Sequence, residues 1–268
     1  MRRIAVVTGA SSGIGRELVY QLAERGYNMI MISRRRDILE SIAEDLKRKN
    51  VEANPIEFDL SRVDEIKTLA EKILSISSGI DLLVNNAGAG IYGPLQELED
   101  FDIMRIINLN LIAPILLTKN LLKALIDRRG CIVNISSLAA YTPIPWLEVY
   151  ASTKAALALF TDTLRIELKP YGVRVLGVLP GYVATEFHRN TITTPTSSRI
   201  RGGVRGPVLD PKYVAKVLVD KISDEKFNGN IIPSKIYRIS FPLLRLADPL
   251  MRVYISREYM RRLKEMKR

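Results

Sequence analysis

Short apolar runs alternate along this chain with longer segments of helical period, and no other feature limits the possible folds as strongly. The predicted strands are Ile4–Thr8, Met29–Ser33, Asn54–Phe58, Leu82–Val84, Cys131–Ile135, Arg174–Leu179 and Asn230–Ile232. The predicted helices are Gly13–Arg25, Asp37–Lys49, Val63–Ser77, Phe101–Ile126, Leu147–Lys169 and Pro211–Ser223. A parallel strand pair needs a crossover connection, which is usually a helix. The pattern therefore predicts the α/β class, as a doubly wound, seven-stranded parallel sheet flanked by helices.

Composition excludes several other classes of protein. The chain has 268 residues, 47% of them hydrophobic, so it can bury a large core without disulfide or metal staples. Cys131 is the only cysteine and His188 the only histidine, so we expect no metal site built on thiolates or imidazoles. The first apolar run is short, and the longest uncharged stretch, 130–147, holds two prolines. We therefore expect neither a signal peptide nor a transmembrane segment, and we predict a cytoplasmic location.

The chain divides into a body and a basic tail. Residues 1–235 hold all the predicted strands, and 236–268 form a partly apolar C-terminal extension. Nine basic and three acidic residues between Arg238 and Arg268 supply +6 of the +11 net charge. Within the body, the loop at about 185–211 is long and rich in Thr, Ser and Gly, so we predict a mobile lid over a ligand site.

A glycine-rich turn follows the first predicted strand and opens the first helix. It runs from Thr8 to Gly15, and its glycines let the backbone approach a pyrophosphate that helix N-terminal amides can hold. The second strand ends at Ser33 and is followed by three arginines, where an NAD-binding chain usually places a carboxylate. Guanidinium groups bind phosphate through paired hydrogen bonds. We therefore predict NADP(H), with Arg34 as the principal contact to the 2′-phosphate.

A tyrosine and a lysine stand four residues apart in the fifth predicted helix. Tyr150 and Lys154 therefore share one helix face, where an ammonium can lower the pKa of a phenol. Such a pair alone is common by chance. Here it is accompanied by Asn85-Asn86-Ala87-Gly88 after the fourth strand, Asn110 in the next helix and Ser136-Ser137 after the fifth strand. All of these positions fall at the carboxyl ends of strands or in the helices that follow, where open α/β sheets bind ligands.

With these motifs together, the sequence resembles the short-chain dehydrogenase/reductase family between about Arg3 and Pro233. The resemblance implies a Rossmann-type sheet and a catalytic Asn, Ser, Tyr and Lys at Asn110, Ser137, Tyr150 and Lys154. It implies cofactor contacts, besides Tyr150 and Lys154, at Gly9, Ser11, Ser12, Gly13, Ile14, Gly15, Ser33, Arg34, Asp59, Leu60, Asn86, Ala87, Gly88, Pro180, Gly181, Val183 and Thr185.

The family resemblance also implies a mechanism. Tyr150 would exchange a proton with the substrate oxygen, Ser137 would hydrogen-bond that oxygen, and Lys154 would hold the nicotinamide ribose and lower the pKa of the tyrosine. Asn110 would hold a water that links Lys154 to solvent. Substrate contacts are expected from Ser137 and Tyr150, with Trp146 and His188 as further candidates. Core packing explains Trp146 equally well, and simple solvation explains a lone loop histidine.

Three functions stay open at this point. The first is an NADPH-dependent carbonyl reductase or secondary-alcohol dehydrogenase that acts on a fairly apolar substrate. The second, favoured by the arginines of the loop (Arg189, Arg199, Arg201 and Arg205), is a 3-oxoacyl-carrier or 3-oxoacyl-CoA reductase. The third is an NADP-sensing or membrane-docked binding protein with little catalysis.

The C-terminal extension is open to three interpretations as well. Its apolar residues interleave with arginines, so it can cover the substrate pocket, contact a second subunit or lie on an anionic membrane surface. We favour the first two, because Pro242 and Pro249 interrupt a long amphipathic helix. Family resemblance implies a homodimer or homotetramer that pairs through the helices carrying Asn110 and Tyr150. We expect no nucleic acid partner.

Overall fold

The computed structural model describes residues 3–198, 207–246 and 248–266, with side chains for all of these except 242–251 and 262–266. Its centre is a seven-stranded sheet of β1 (Arg3–Thr8), β2 (Tyr27–Ser33), β3 (Ala53–Glu57), β4 (Leu82–Asn85), β6 (Cys131–Ile135), β7 (Arg174–Val178) and β9 (Asn230–Ile231). The spatial order is β3-β2-β1-β4-β6-β7-β9, and every neighbouring pair is parallel. This confirms the predicted doubly wound sheet, and all seven predicted strands are present.

Helices cover both faces of the sheet. They are α1 (Gly13–Glu24), α2 (Arg36–Arg48), α3 (Ile66–Ile76), α4 (Asp100–Ile107), α5 (Ala113–Asp127), α6 (Glu148–Leu168), α7 (Pro195–Ser198), α8 (Pro211–Ser223), α9 (Lys235–Leu246) and α10 (Asp248–Met266). Successive strand residues point to opposite faces. Ala5 and Val7 thus pack in one core with α1, α2 and α8, while Val6 packs in another with α3, α5 and α6.

A second, two-stranded sheet was not predicted. Strand β5 (Ile91–Tyr92) pairs in parallel with β8 (Ile192–Thr193) and joins the segment after β4 to the long loop. The predicted mobile loop therefore contains a strand and the one-turn helix α7. Residues 199–206, which include Arg199, Arg201 and Arg205, lie outside the described residues.

The helix predicted over Phe101–Ile126 is continuous but irregular. A π-helical turn over Asn108–Ile112 separates α4 from α5. By length and composition alone the run Asp100–Asp127 could cross a membrane, contrary to the sequence expectation. This is weak evidence for a span, because core helices pass the same test, and α5 buries Leu117 and Leu121 against the sheet.

The C-terminal extension forms two helices. Pro249 is the second residue of α10, a position where its missing N–H costs nothing. Pro242, in contrast, lies inside α9, so the interruption predicted at this proline is wrong.

Candidate active site

The glycine-rich turn has the backbone geometry that a phosphate-binding turn needs. Gly9 and Gly13 have φ angles of +65° and +53°, which side chains other than glycine rarely adopt. A Cβ on Gly15 would lie 2.3 Å from the carbonyl oxygen of Gly9, so only glycine lets α1 begin this close to the turn. Within the described residues, the N-cap Ser12 makes no side-chain capping hydrogen bond, so the first amides of α1 keep their capacity for an anion.

Thr8 and Asn86 hold the turn against the end of β4. The Thr8 hydroxyl accepts hydrogen bonds from the amides of Asn86 (2.9 Å) and Ala87 (3.0 Å) and donates to the carbonyl of Val84. In return, the Asn86 amide donates to the carbonyls of Thr8 (2.9 Å) and Gly9 (3.2 Å). The glycine-rich turn and the Asn86 segment, 78 residues apart in the chain, are therefore joined by hydrogen bonds into one surface.

A basic side chain, Arg35, lies next to the glycine-rich turn. The Arg35 guanidinium donates to the hydroxyl of Ser11 (3.1 Å) and pairs with the carboxylate of Glu186 (2.9 Å). The backbone amide of Arg35 donates to the hydroxyl of Ser33, which shapes the turn after β2. Sequence reasoning chose Arg34 as the principal phosphate contact and gave Arg35 no role, although Arg35 belongs to the same run of three arginines.

The charge of Arg34 acts on Asp59, the carboxylate that follows β3. Burial acts to raise the pKa of Asp59, but hydrogen bonds from the amide (3.0 Å) and hydroxyl (2.8 Å) of Ser61, with the charge of Arg34, bring that pKa below its ordinary value. Asp59 is therefore a fixed carboxylate at the end of β3, and the neighbouring Leu60 is buried.

The four predicted catalytic residues converge on the carboxyl ends of β4 and β6. Tyr150 and Lys154 lie on the buried face of α6, with exposed fractions of 9% and 3%. The Lys154 ammonium donates to the carbonyl of Ile135 (2.9 Å), at the end of the strand that leads to Ser137. A Cβ on Gly88 would lie 3.1 Å from the Asn110 oxygen and 3.3 Å from the Lys154 nitrogen, so three of the motifs meet at this glycine.

Burial dominates the proton affinities of this pair. It raises the pKa of Tyr150 to about 12, with only the hydrogen bond to Ser137 acting in the opposite direction. It lowers the pKa of Lys154 to about 8. The structure thus differs from the expectation that Lys154 lowers the pKa of the tyrosine. The ammonium faces a backbone carbonyl instead and lies 5.9 Å from the centre of the phenol ring.

Asn110 occupies the π-helical turn and fixes the segment after β4. Its side chain accepts from the amide of Ala89 (3.0 Å) and donates to the carbonyl of the same residue (2.9 Å) and to Thr153 (3.3 Å). π-Helical turns are rare and often occur at functional sites. The side chain of Asn110 therefore links the Gly88 segment directly to the helix that carries Tyr150 and Lys154.

The start of the long loop closes over the same site. Thr185 lies against Gly13, since its Cγ2 would be 2.9 Å from a Cβ there. Phe187, which sequence reasoning missed, packs edge to face on the ring of Tyr150 at 5.6 Å. His188 stacks on Tyr182 with centroids 3.9 Å apart, and burial lowers its pKa. The ring of Phe187 thus covers one side of the phenol ring.

The remaining candidates fall around this centre. The carbonyl of Pro180 accepts from Leu138, directly after Ser137, while Gly181 packs against Tyr237 and Val183 bridges to Leu209. Ile14 packs at the start of α1. Cys131 is buried, which raises the pKa of its thiol to about 11. No group of three His, Cys, Asp or Glu side chains that could hold a metal occurs in the described part of the chain.

Comparisons with known proteins agree with this geometry. The family model described as short chain dehydrogenase matches residues 3–195. A curated relative, very-long-chain 3-oxoacyl-CoA reductase of Rattus norvegicus, is 38% identical over 87% of this chain and 76% of its own length. Dehydrogenase/reductase SDR family member 7B of Xenopus laevis is 32% identical over 71% of this chain, and that match spans only 61% of the relative.

Solved structures show the same fold. A short-chain dehydrogenase from Sphingobium yanoikuyae in complex with NADPH has a TM-score of 0.79 and 25% identity, and the match covers 94% of this chain and 95% of the other. The alcohol dehydrogenase of Thermococcus sibiricus complexed with 5-hydroxy-NADP has a TM-score of 0.75 and 28% identity, covering 86% and 95%. The chain therefore belongs to the short-chain dehydrogenase family of nicotinamide-dependent oxidoreductases.

Proposed function

We propose that this protein is an NADP(H)-dependent oxidoreductase that interconverts a carbonyl and a secondary alcohol, with Tyr150 as general acid and base. The observation that carries the proposal is the buried pair of Tyr150 and Lys154 on one face of α6, next to Ser137. Burying two ionisable groups side by side costs folding free energy. A chain that needed only a packed core would place apolar residues there.

The chain's own groups define the proton transfer. A substrate carbonyl oxygen placed between Ser137 and Tyr150 accepts a hydrogen bond from the serine and the proton from the phenol. When bound, the reduced nicotinamide supplies the hydride for the carbonyl carbon. A phenol whose pKa is about 12 keeps its proton at neutral pH, so Tyr150 is ready to act as the acid in the reducing direction. Phe187 excludes water from one side of its ring.

Lys154 and Asn110 support this step. With a pKa of about 8, the Lys154 ammonium exchanges protons close to neutral pH. Its hydrogen bond to the Ile135 carbonyl ties the helix face that carries Tyr150 to the strand that leads to Ser137. Asn110 holds the Ala89 backbone on one side and Thr153 on the other. It thereby fixes the Gly88 segment against which the lysine lies.

The residues of the glycine-rich turn and of the turn after β2, here called the cofactor corner, fit a dinucleotide with a 2′-phosphate. The positive-φ glycines and the uncapped start of α1 suit a pyrophosphate, and Arg34 and Arg35 suit a 2′-phosphate. Ser33 ends β2 where a carboxylate would repel that phosphate. This corner supports the choice of NADP(H) over NAD(H).

A 3-oxoacyl thioester is the second candidate substrate. The observation in its favour is the 38% identity, over 87% of this chain, to a protein named very-long-chain 3-oxoacyl-CoA reductase. The ring of Phe187 on Tyr150 also suits an apolar chain next to the reacting carbonyl.

Oxidation of NADPH and NADH should be followed with purified protein across apolar ketones, diketones, quinones, steroids and 3-oxoacyl thioesters. We expect NADPH-preferring turnover that Tyr150→Phe lowers by about 10²-fold or more, because the variant lacks the transferable proton. Cofactor affinity should persist in the variant. Tight NADPH binding without turnover of any carbonyl would contradict the reductase and favour the NADP-binding protein.

A further inference from the structure

Helices α9 and α10 contact the segments that flank the proposed substrate site. The ring of Tyr237 in α9 packs on Gly181, where a Cβ would lie 2.2 Å from its Cε2 atom. Phe241, one helical turn later, packs edge to face on Tyr141 at 5.3 Å. Tyr141 ends the 3₁₀-helix that directly follows Ser137. The extension therefore covers the loop that connects Ser137 with Tyr150.

Helix α10 reaches the other end of that loop. The indole N–H of Trp146 donates to the hydroxyl of Tyr259 at 3.1 Å, and the two rings meet perpendicularly with centroids 5.8 Å apart. Only 7% of Trp146 is exposed. A buried indole N–H without a hydrogen-bond acceptor would cost folding free energy. Tyr259 thus satisfies this donor from 113 residues further along the chain.

The backbone of Trp146 is strained, and its surroundings hold it in place. Its φ angle of +70° lies in the left-handed region, where a bulky residue is a genuine outlier. Such a conformation persists only when several contacts enforce it. Tyr92 packs on the indole at 5.7 Å, the amide of Gly93 donates to the Trp146 carbonyl at 2.9 Å, and Tyr259 fixes the indole nitrogen.

Trp146 is close to the proton donor in the chain, and its neighbour Leu147 packs against the apolar cluster that contains Tyr150. Helix α6 begins two residues after Trp146, and Tyr150 lies in its first turn. An apolar substrate chain that extends from the phenol towards this loop would meet the indole as a wall, and Tyr259 of α10 contacts the indole.

We propose that Tyr259 is a positioning residue for substrate selection: it holds Trp146 in its left-handed conformation and so fixes the wall that limits the length of an apolar substrate. This rests on the proposed function, because it assumes a carbonyl substrate at Tyr150. The segment that the extension covers is thereby the loop between Ser137 and Tyr150 of the same chain.

Trp146 is the only tryptophan, so its emission reports this wall directly. Three proteins should be compared: wild type, Tyr259→Phe, which keeps the ring and removes the hydroxyl, and Tyr254→Phe, a control on the same helix with a side chain that is more than half exposed. The probes are methyl ketones from hexanone to dodecanone, titrated with NADP⁺ present so that no hydride transfer occurs during the binding measurement. Affinity is read from the Trp146 emission, and KM and kcat from NADPH oxidation.

In Tyr259→Phe we expect a shifted Trp146 emission and unchanged NADPH affinity. The ratio of affinities for long over short ketones should change by about fivefold or more, as loss of one hydrogen bond predicts, with the effect in KM rather than kcat. Tyr254→Phe should match wild type. Tyr259→Ala should change the ratio further in the same direction, because the wall then loses its support.

Unchanged emission in Tyr259→Phe, or a shifted emission with unchanged length selectivity, would overturn the proposal. So would a wild-type emission that responds to no ketone, since Trp146 would then not face the ligand. Absence of turnover in wild type, with emission and affinity still responding to chain length and to Tyr259→Phe, would refute the reductase and support the wall.

Discussion

The burial of the Lys154 ammonium costs folding free energy. The ammonium is almost fully buried, and a single described hydrogen bond, to the Ile135 carbonyl, compensates for the lost water. Desolvation of a cation disfavours the charged form, which is why its pKa falls to about 8. The same burial that makes the residue expensive for folding makes its proton available near neutral pH.

This burial predicts a pH-dependent stability. Between pH 8 and 10.5 the unfolded chain holds a proton on Lys154 that the folded chain has lost, so the free energy of unfolding rises with pH over this window. Relative to Lys154→Met, wild type should gain up to about 3 kcal/mol, at about 1.4 kcal/mol per pKa unit. Urea unfolding at pH 7.5 and pH 10 measures the gain.

Lys123→Met, at an exposed lysine of α5, serves as the control and should keep the pH dependence of wild type. A constant difference between wild type and Lys154→Met at the two pH values would show that Lys154 does not lose its proton in this range.

Arg35 should decide between the two nicotinamide cofactors. Its guanidinium already lies at Ser11 of the glycine-rich turn, so a 2′-phosphate there would gain a charge-assisted hydrogen bond. In Arg35→Ala we expect the Kd for NADPH to rise by about 10- to 100-fold while the Kd for NADH stays unchanged. Titration of cofactor fluorescence gives both constants.

Arg36→Ala is the matched control, because Arg36 is engaged with Glu40 along α2. It should leave both affinities at the wild-type values. Equal weakening of NADPH and NADH by Arg35→Ala would instead assign the residue to the pairing with Glu186 and the shape of the loop.

At the scale of elements, long periodic segments were predictable and short ones were not. Each large strand was found within a few residues, because β-branched runs between helices leave few alternatives. Strands β5 and β8 have two residues each, and their pairing joins positions 101 residues apart. Periodicity carries no information about a contact between such distant residues. The sequence therefore predicted a mobile loop where the structure has a paired strand.

The π-helical turn is a further case. Asn108–Ile112 has an ordinary helical pattern, and the extra residue in the turn became visible only in the packed helix. Its consequence is functional, because the wider turn directs Asn110 to Ala89 and Thr153. The motif identified Asn110, whereas its hydrogen bonds depend on where α5 and α6 meet.

For the whole molecule, exposed apolar residues on α6 predict self-association. Leu159 and Ile166 are 69% and 76% exposed and lie two helical turns apart on one face. We expect a homodimer or homotetramer in solution that the double variant Leu159→Lys/Ile166→Lys converts to a monomer, because buried lysines oppose the contact. Light scattering after size-exclusion chromatography measures the mass.

Val208→Lys, at an exposed apolar residue outside α6, should keep the wild-type mass. A monomeric wild-type protein at the concentration of the activity assay would contradict the prediction, and an unchanged oligomer in the double variant would move the interface to another face.

The sequence by itself determined the family and the sheet, and it predicted that Tyr150, Lys154, Ser137 and Asn110 belong to one site. These depend on local period and on motifs whose residues must lie at strand ends. Only the tertiary structure decided that Lys154 faces Ile135, that Arg35 reaches Ser11 and that Tyr259 supports Trp146. The reason is physical: burial, which sets the pKa values, and contacts between distant segments, which set the pocket, both arise when the whole chain packs.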